Sequence, residues 1–233
     1  MREYWYFLPL IGVIFILLSF QVSDYTINDY SEIPNKISDI SNIQNIEING
    51  INISIKFDSE TNKLFYSEKI NAKVKNDTLV LDGSKIKKNL EIVIGTKSKL
   101  NRINIDGVNI NINGNLNSNE LGIDGINVIF NENFKFEGDS IKLEGTNVII
   151  RGYLKGKVFK SESVSNNLDI TVENFEKMFL EGINIKVDIK YLDTWNDTRE
   201  IFLDSISTNI TVYIRNENKG ILNSNKSIKI IYY

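Results

Sequence analysis

From Ile46 onward apolar and polar residues alternate, and the alternation is punctuated by one short phrase: apolar, acid, glycine, apolar, asparagine, apolar. It reads Ile105-Asp106-Gly107-Val108-Asn109-Ile110, Ile123-Asp124-Gly125-Ile126-Asn127-Val128, Leu143-Glu144-Gly145-Thr146-Asn147-Val148 and Leu180-Glu181-Gly182-Ile183-Asn184-Ile185. Ile48-Asn49-Gly50-Ile51-Asn52-Ile53 is an earlier variant, and Ser161-Glu162-Ser163-Val164-Ser165 and Leu203-Asp204-Ser205-Ile206 are degenerate ones. Counted from each glycine, apolar residues fall at −4 and −2 and again at +1, +3 and +5. A period of two means half-buried strands. The inward parity changes at the glycine, which predicts a bend there, taken by a residue tolerant of positive φ.

The phrases recur at a nearly fixed interval. Gly107 to Gly125 is 18 residues, Gly125 to Gly145 is 20, and Gly182 to Ser205 is 23. A short fixed interval is the mark of stacked repeats. Leu116, Phe134, Leu154, Phe175 and Leu192 recur between phrases and read as the returning wall of each coil. The stretch from Ile46 to Lys97 is less regular. Ile53–Phe57 with Lys63–Tyr66, and Thr78–Leu81 with Leu90–Ile94, read as two hairpins capping one end, which would otherwise expose unpaired strand edges. After residue 45 no helical periodicity is sustained, and only two prolines occur in the whole chain. The predicted fold is all-β: a β-solenoid, or β-helix-like stack of short two-strand coils, capped by N-terminal hairpins and preceded by one transmembrane helix.

That helix is predicted from the apolar run Tyr4–Phe20, whose length meets the lower end of the roughly 17–25 residues that span a bilayer. Arg2 precedes the run, while Asp24, Asp29 and Glu32 follow it, an arrangement that places the N-terminus in the cytoplasm and the remainder outside. No small-x-small cleavage site follows, so an uncleaved signal anchor is favoured over a cleaved signal peptide, with a buried core helix as the third reading. Residues 1–22 are thus read as the anchor or signal, the polar stretch 23–45 as a tether, and 46–233 as the solenoid domain. The expected location is the cell membrane, single-pass, with the C-terminal domain extracytoplasmic.

The phrases at Gly50, Gly107, Gly125, Gly145 and Gly182, with Ser163 and Ser205 as weaker copies, resemble those of the bacterial envelope proteins grouped as putative adhesins (head-GIN-like, uncharacterised β-solenoid domains). Leu90–Ile94 followed by a short loop into Leu100–Ile105 also fits that pattern, although Gly95 stands where the family usually has proline. The resemblance covers roughly Ile46 to Tyr233. It implies a membrane-proximal leader before a coil-like scaffold, and it carries over no catalytic residue.

Composition narrows the chemistry. Histidine and cysteine are both absent, which closes off histidine-based triads, cysteine nucleophiles, disulfides, and zinc sites built on imidazole or thiolate. A net charge of −3 gives no basic footprint, so no nucleic-acid partner is expected. Asp106, Asp124, Glu144, Glu162, Glu181 and Asp204 would form a column about 4.8 Å apart if the coils stack. A calcium-binding ridge is one reading; a solvated outer face is favoured, because the dense Asp-x-Asp-x-Asp spacing of calcium loops is missing. Asn52, Asn109, Asn127, Asn147 and Asn184 would form an amide ladder along the axis, with glycan binding as the alternative role. Asn76-Asp77-Thr78 and Asn196-Asp197-Thr198 match a glycosylation triplet, and Lys85, Lys87 and Lys88 form a small basic knot read as a solvated loop.

Carboxylate pairs alone can hydrolyse glycosides, but here the acids are spread one per coil instead of converging. The sequence therefore predicts a membrane-anchored, extracytoplasmic surface that binds or supports, with no enzyme activity, cofactor, metal or catalytic residue. The expected partners are the membrane, through the N-terminal helix, and a cell-envelope polymer or surface protein. An envelope-stress sensor with a membrane partner is the alternative, and a carbohydrate-active enzyme a more distant one.

Overall fold

A computed structural model describes residues 32–218 and 220–233. The apolar run Tyr4–Phe20, the anchor read into residues 1–22, and the tether up to residue 31 lie outside them. Among the described residues every regular element is a strand, and no helix is long and apolar enough to cross a membrane. The strands are β1 (Lys36–Asp39), β2 (Asn45–Asp58), β3 (Lys63–Tyr66), β4 (Asn71–Lys75), β5 (Thr78–Gly83), β6 (Leu90–Gly95) and β7 (Leu100–Phe130). They continue as β8 (Lys135–Glu137), β9 (Ser140–Lys155), β10 (Val158–Glu173), β11 (Lys177–Tyr191), β12 (Thr198–Ile214), β13 (Ile221–Ser224) and β14 (Lys229–Tyr232). β1 falls within the polar stretch read as a tether.

The long strands pair in parallel in the order β2, β7, β9, β10, β11, β12, and the phrases fall in register. Gly50 sits against Gly107, Gly125 against Gly145, Gly145 against Ser163, Ser163 against Gly182, and Gly182 against Ser205. β7 supplies two coils by itself, since the Asn127 amide donates to Asn109 at 2.9 Å within it. The stack is a β-solenoid of about six turns.

Two walls enclose the core. The −4 and −2 residues, such as Ile103, Ile105, Ile141, Leu143, Met178 and Leu180, form one wall, and all are buried. The +3 and +5 residues, such as Ile110, Ile112, Val148, Ile150, Ile185 and Val187, form the other. Each such side chain contributes roughly 1.5–3 kcal/mol on full burial.

The +1 residues do not point inward as the parity suggested. Ile126, Val164 and Ile183 are 46–47% exposed, so the inward pattern resumes only at +3. Nor does the glycine turn the chain in the coils before Gly182. Asn52, Asn109 and Asn127 have φ of 55–57°, while Gly50, Gly107, Gly125 and Gly145 lack positive φ. Asparagine tolerates the left-handed region better than most side chains do. The glycine answers to a different constraint, because a Cβ on Gly107 would collide with the carbonyl oxygen of Gly50, and one on Gly145 with that of Gly125. At Gly107 and Gly145 the neighbouring coil lies so close that only hydrogen fits, whereas Ser163 and Ser205 fill the same register in later coils.

The irregular N-terminal region departs from the two predicted hairpins. β5 and β6 do not pair with each other. Both run parallel to β2, opposing Asn45–Gly50 and Ile53–Asp58 respectively, and together they make a further coil on the side of β2 away from β7. β3 pairs antiparallel with β6 instead of β2, β1 with β3, and β4 with β5. The reason is burial. Leu90, Ile92 and Ile94 are all within 2% of full burial, so β6 needs the core position next to β2, and the short β3 is displaced to its outer edge.

The predicted returning wall also divides. Leu116, Phe136, Leu154, Val172 and Tyr191 occupy one register, whereas Phe134 and Phe175 are buried outside it and Leu192 is only half-buried. The wide interval before Ser205 is spent on a corner between β11 and β12. There Arg199, 6% exposed, bonds Asp193 at 2.6 Å and lies 4.2 Å over the Trp195 ring.

Candidate binding surface

The solvent-facing residues around the bend form rows along the solenoid axis, because every coil repeats the same register. The acidic row is as the sequence predicts: Asp106 opposes Asn49, Asp124 opposes Glu144, Glu144 opposes Glu162, Glu162 opposes Glu181, and Glu181 opposes Asp204. Lysines two positions before the acid neutralise its middle. Lys142 pairs with Glu144 and Lys160 with Glu162, and Lys160 also lies 4.0 Å from Glu181. The Glu162 carboxylate beside it holds the Lys160 ammonium above its ordinary range.

The neighbouring row changes character along the axis, reading Glu47, Asn104, Gly122, Lys142, Lys160, Phe179 and Phe202. At its far end Phe179 and Phe202 meet with ring centroids 6.2 Å apart. At Gly122 there is no side chain at all, and a hollow of about 340 Å³ opens between Asn104 and Lys142. Glu47, Asp106 and Asp124 line it, and among the described residues none of these three is in an ion pair. With Lys142 paired to Glu144, these three carboxylates leave the lining of the hollow net negative. Among the described residues no group of three or more carboxylates is placed to hold a metal ion.

Beyond the glycine two more rows follow. Ile51, Val108, Ile126, Thr146, Val164, Ile183 and Ile206 make a ridge of β-branched side chains, apolar except at Thr146. Next to it runs the amide ladder. Asn109 donates to Asn52 at 2.7 Å, Asn127 to Asn109 at 2.9 Å, and Asn147 to Asn127 at 3.4 Å. The ladder stops at Ser165, so Asn184 stands apart from it. A second ladder, Asn119 to Asn101 to Asn45 with both bonds at 3.3 Å, was not anticipated. Its members precede the glycine by five or six residues, an offset that drifts and hides them from a strict register count.

Other features singled out from sequence stand elsewhere. Asn76, at φ 58°, turns the chain from β4 into β5, so the first glycosylation triplet lies at a hairpin tip. Lys88 pairs with Glu32 at 3.2 Å, so the basic knot is partly tied to the cap. The Arg199 corner had only the longer interval as a sequence signal. Nearby, Tyr153 donates to Glu173 at 2.8 Å, and burial together with that carboxylate raises its phenol.

No family model matches the chain, and no curated protein matches it. Among solved structures, a putative cell adhesion protein from Clostridium sporogenes is similar at 12% identity with a TM-score of 0.32, over 84% of this chain and 92% of that one. A putative adhesin from Parabacteroides merdae is similar at 14% identity with a TM-score of 0.36, over 85% of this chain and 93% of that one.

Proposed function

We propose that this chain is a non-catalytic binding or structural surface of the cell envelope. Residues 1–22 anchor it in the membrane, and the solenoid projects outside the cytoplasm to engage an envelope polymer or a surface protein. One observation carries the reading: solvent-facing acids, amides and β-branched residues lie in parallel rows along the stack, with the charge left unneutralised beside the Gly122 hollow. A regular array at the strand spacing of about 4.8 Å suits an extended partner that repeats along its own length. The acids of the row run along the axis one per coil, which favours holding a partner over transforming it.

The test is retention of envelope fractions by the immobilised full-length chain, with and without calcium, followed by Asp106→Asn with Asp124→Asn. A partner retained by the native protein and lost with the double variant is the expected result. Recovery of no partner in either condition, or equal recovery by the variant, overturns the reading. Protease accessibility of the solenoid on intact cells tests its location separately, and complete protection would place it inside.

A further inference from the structure

The two ends of the stack are finished differently. At one end the β5–β6 coil is overlaid by antiparallel β4 and β3, and Leu79, Leu81, Leu90, Ile92 and Ile94 beneath are buried. At the other end the last coil consists of β13 and β14, each parallel to β12. Among the described residues no strand pairs with the outer edge of either. Leu222, Ile228 and Ile230 pack on the core yet stay only partly buried, while Ile221 and Tyr232 are 59% and 62% exposed.

The direction of this edge follows from its bonds. The Ile221 N–H donates to the Asp197 carbonyl, the Tyr233 N–H donates to the Ile214 carbonyl, and the Tyr233 carbonyl accepts from Asn216. In a parallel ladder both backbone groups of a residue face one neighbour and the next residue faces the other. Ile221, Asn223, Ile231 and Tyr233 therefore face β12, and Leu222, Ser224, Ile230 and Tyr232 direct their backbone groups outward. β12 itself shows what such an edge requires. Where β13 ends, the Asn225 side chain takes the place of a strand, accepting from the Leu203 N–H at 2.7 Å and donating to its carbonyl at 2.9 Å. Among the described residues from Arg215 onward, Arg215, Lys226 and Lys229 stand against the single acid Glu217.

We propose that this end of the solenoid takes an extended, acid-bearing segment of a partner protein as an added strand. Its backbone pairs with the outward groups of β13 and β14, its apolar side chains cover Leu222, Ile228 and Ile230, and its acids meet the lysines. Strand addition draws affinity from main-chain bonds and specificity from alternate side chains. A second copy of this chain meeting the same end would oppose like charges.

The probes are three labelled eight-residue peptides alternating valine with glutamate, lysine or serine, titrated into the full-length chain by fluorescence polarisation. The glutamate probe binds, more weakly as salt rises, and the lysine probe does not. Ile230→Pro removes an outward N–H and no bond to β12, so the fold persists by circular dichroism while affinity falls about tenfold or more. Lys229→Glu, which removes no backbone bond, reverses the preference between the glutamate and lysine probes. Failure of the glutamate probe to bind, equal binding of all three, or indifference to both substitutions overturns the proposal. So does a dimer in sedimentation that Ile230→Pro dissociates, since the end would then belong to a second copy.

Discussion

At the scale of single residues, turning and stacking are divided between two positions of the phrase. In the first three coils the asparagine at +2 (Asn52, Asn109, Asn127) adopts the left-handed conformation, while the glycine two residues earlier lets the next coil approach, as at Gly107 and Gly145. The separation has a measurable consequence. Gly145→Ala puts a methyl group against the Gly125 carbonyl and is expected to destabilise by about 1–3 kcal/mol, read as a lower urea midpoint. Asn109→Gly keeps the backbone conformation and loses two exposed ladder bonds, so about 1 kcal/mol or less is expected. Asn109→Val loses the same bonds and adds roughly 1–2 kcal/mol of left-handed strain. Equal midpoints for the glycine and valine variants would show that φ does not decide this position.

Among the elements, β10 breaks the rule its neighbours keep. Ser161 lies in the register of Leu143 and Leu180, and Asn166 in that of Val148 and Ile185, yet both are buried. They satisfy each other, the Ser161 hydroxyl donating to the Asn166 amide oxygen at 2.7 Å. Asn166→Val alone strands that hydroxyl and is expected to cost about 1–3 kcal/mol. Adding Ser161→Leu makes the coil match its neighbours and should recover the loss in thermal unfolding; a double variant less stable than the single one would show that the coil cannot accept leucine there. The stack was legible because Ile, Val and glycine recur at an interval that only parallel coils explain, and the acidic row followed from the same count. The cap was not. Whether β6 pairs with β3, β5 or β2 depends on which edge stays free once the core is filled, and local turn residues such as Asp58–Asn62 and Asp82–Ser84 suit a hairpin equally well. The Gly122 hollow escaped notice because it arises from one missing side chain set between rows, a relation across coils that a reading along the chain does not display.

Across the whole molecule, charge separates the cap from the coils. Hydrogen bonds from Lys69 and Lys88 hold the Glu32 carboxyl below its ordinary 4.5, and the hydroxyls of Ser41 and Ser84 hold Asp39 and Asp82 below 3.8. A carboxylate lowered in the fold stabilises it above the ordinary value, and that contribution fades as pH falls through the folded value. The stack has one such group outside the cap, Asp139 beside Lys157. On acidification below about pH 4, hydrogen-exchange protection should therefore fall in β1 and β4 before it falls in β9–β11. Simultaneous loss would mean that cap and coils open as one unit. The placement of β5 and β6 also bears on how the chain is made. The coil beneath β2 is built from residues that follow it, so β2 is an interior layer although it is the first long strand to leave the ribosome. Both its flanks stay bare until residues 78–95 and the start of β7 have emerged, which makes Asn45–Asp58 the segment most in need of shelter during synthesis.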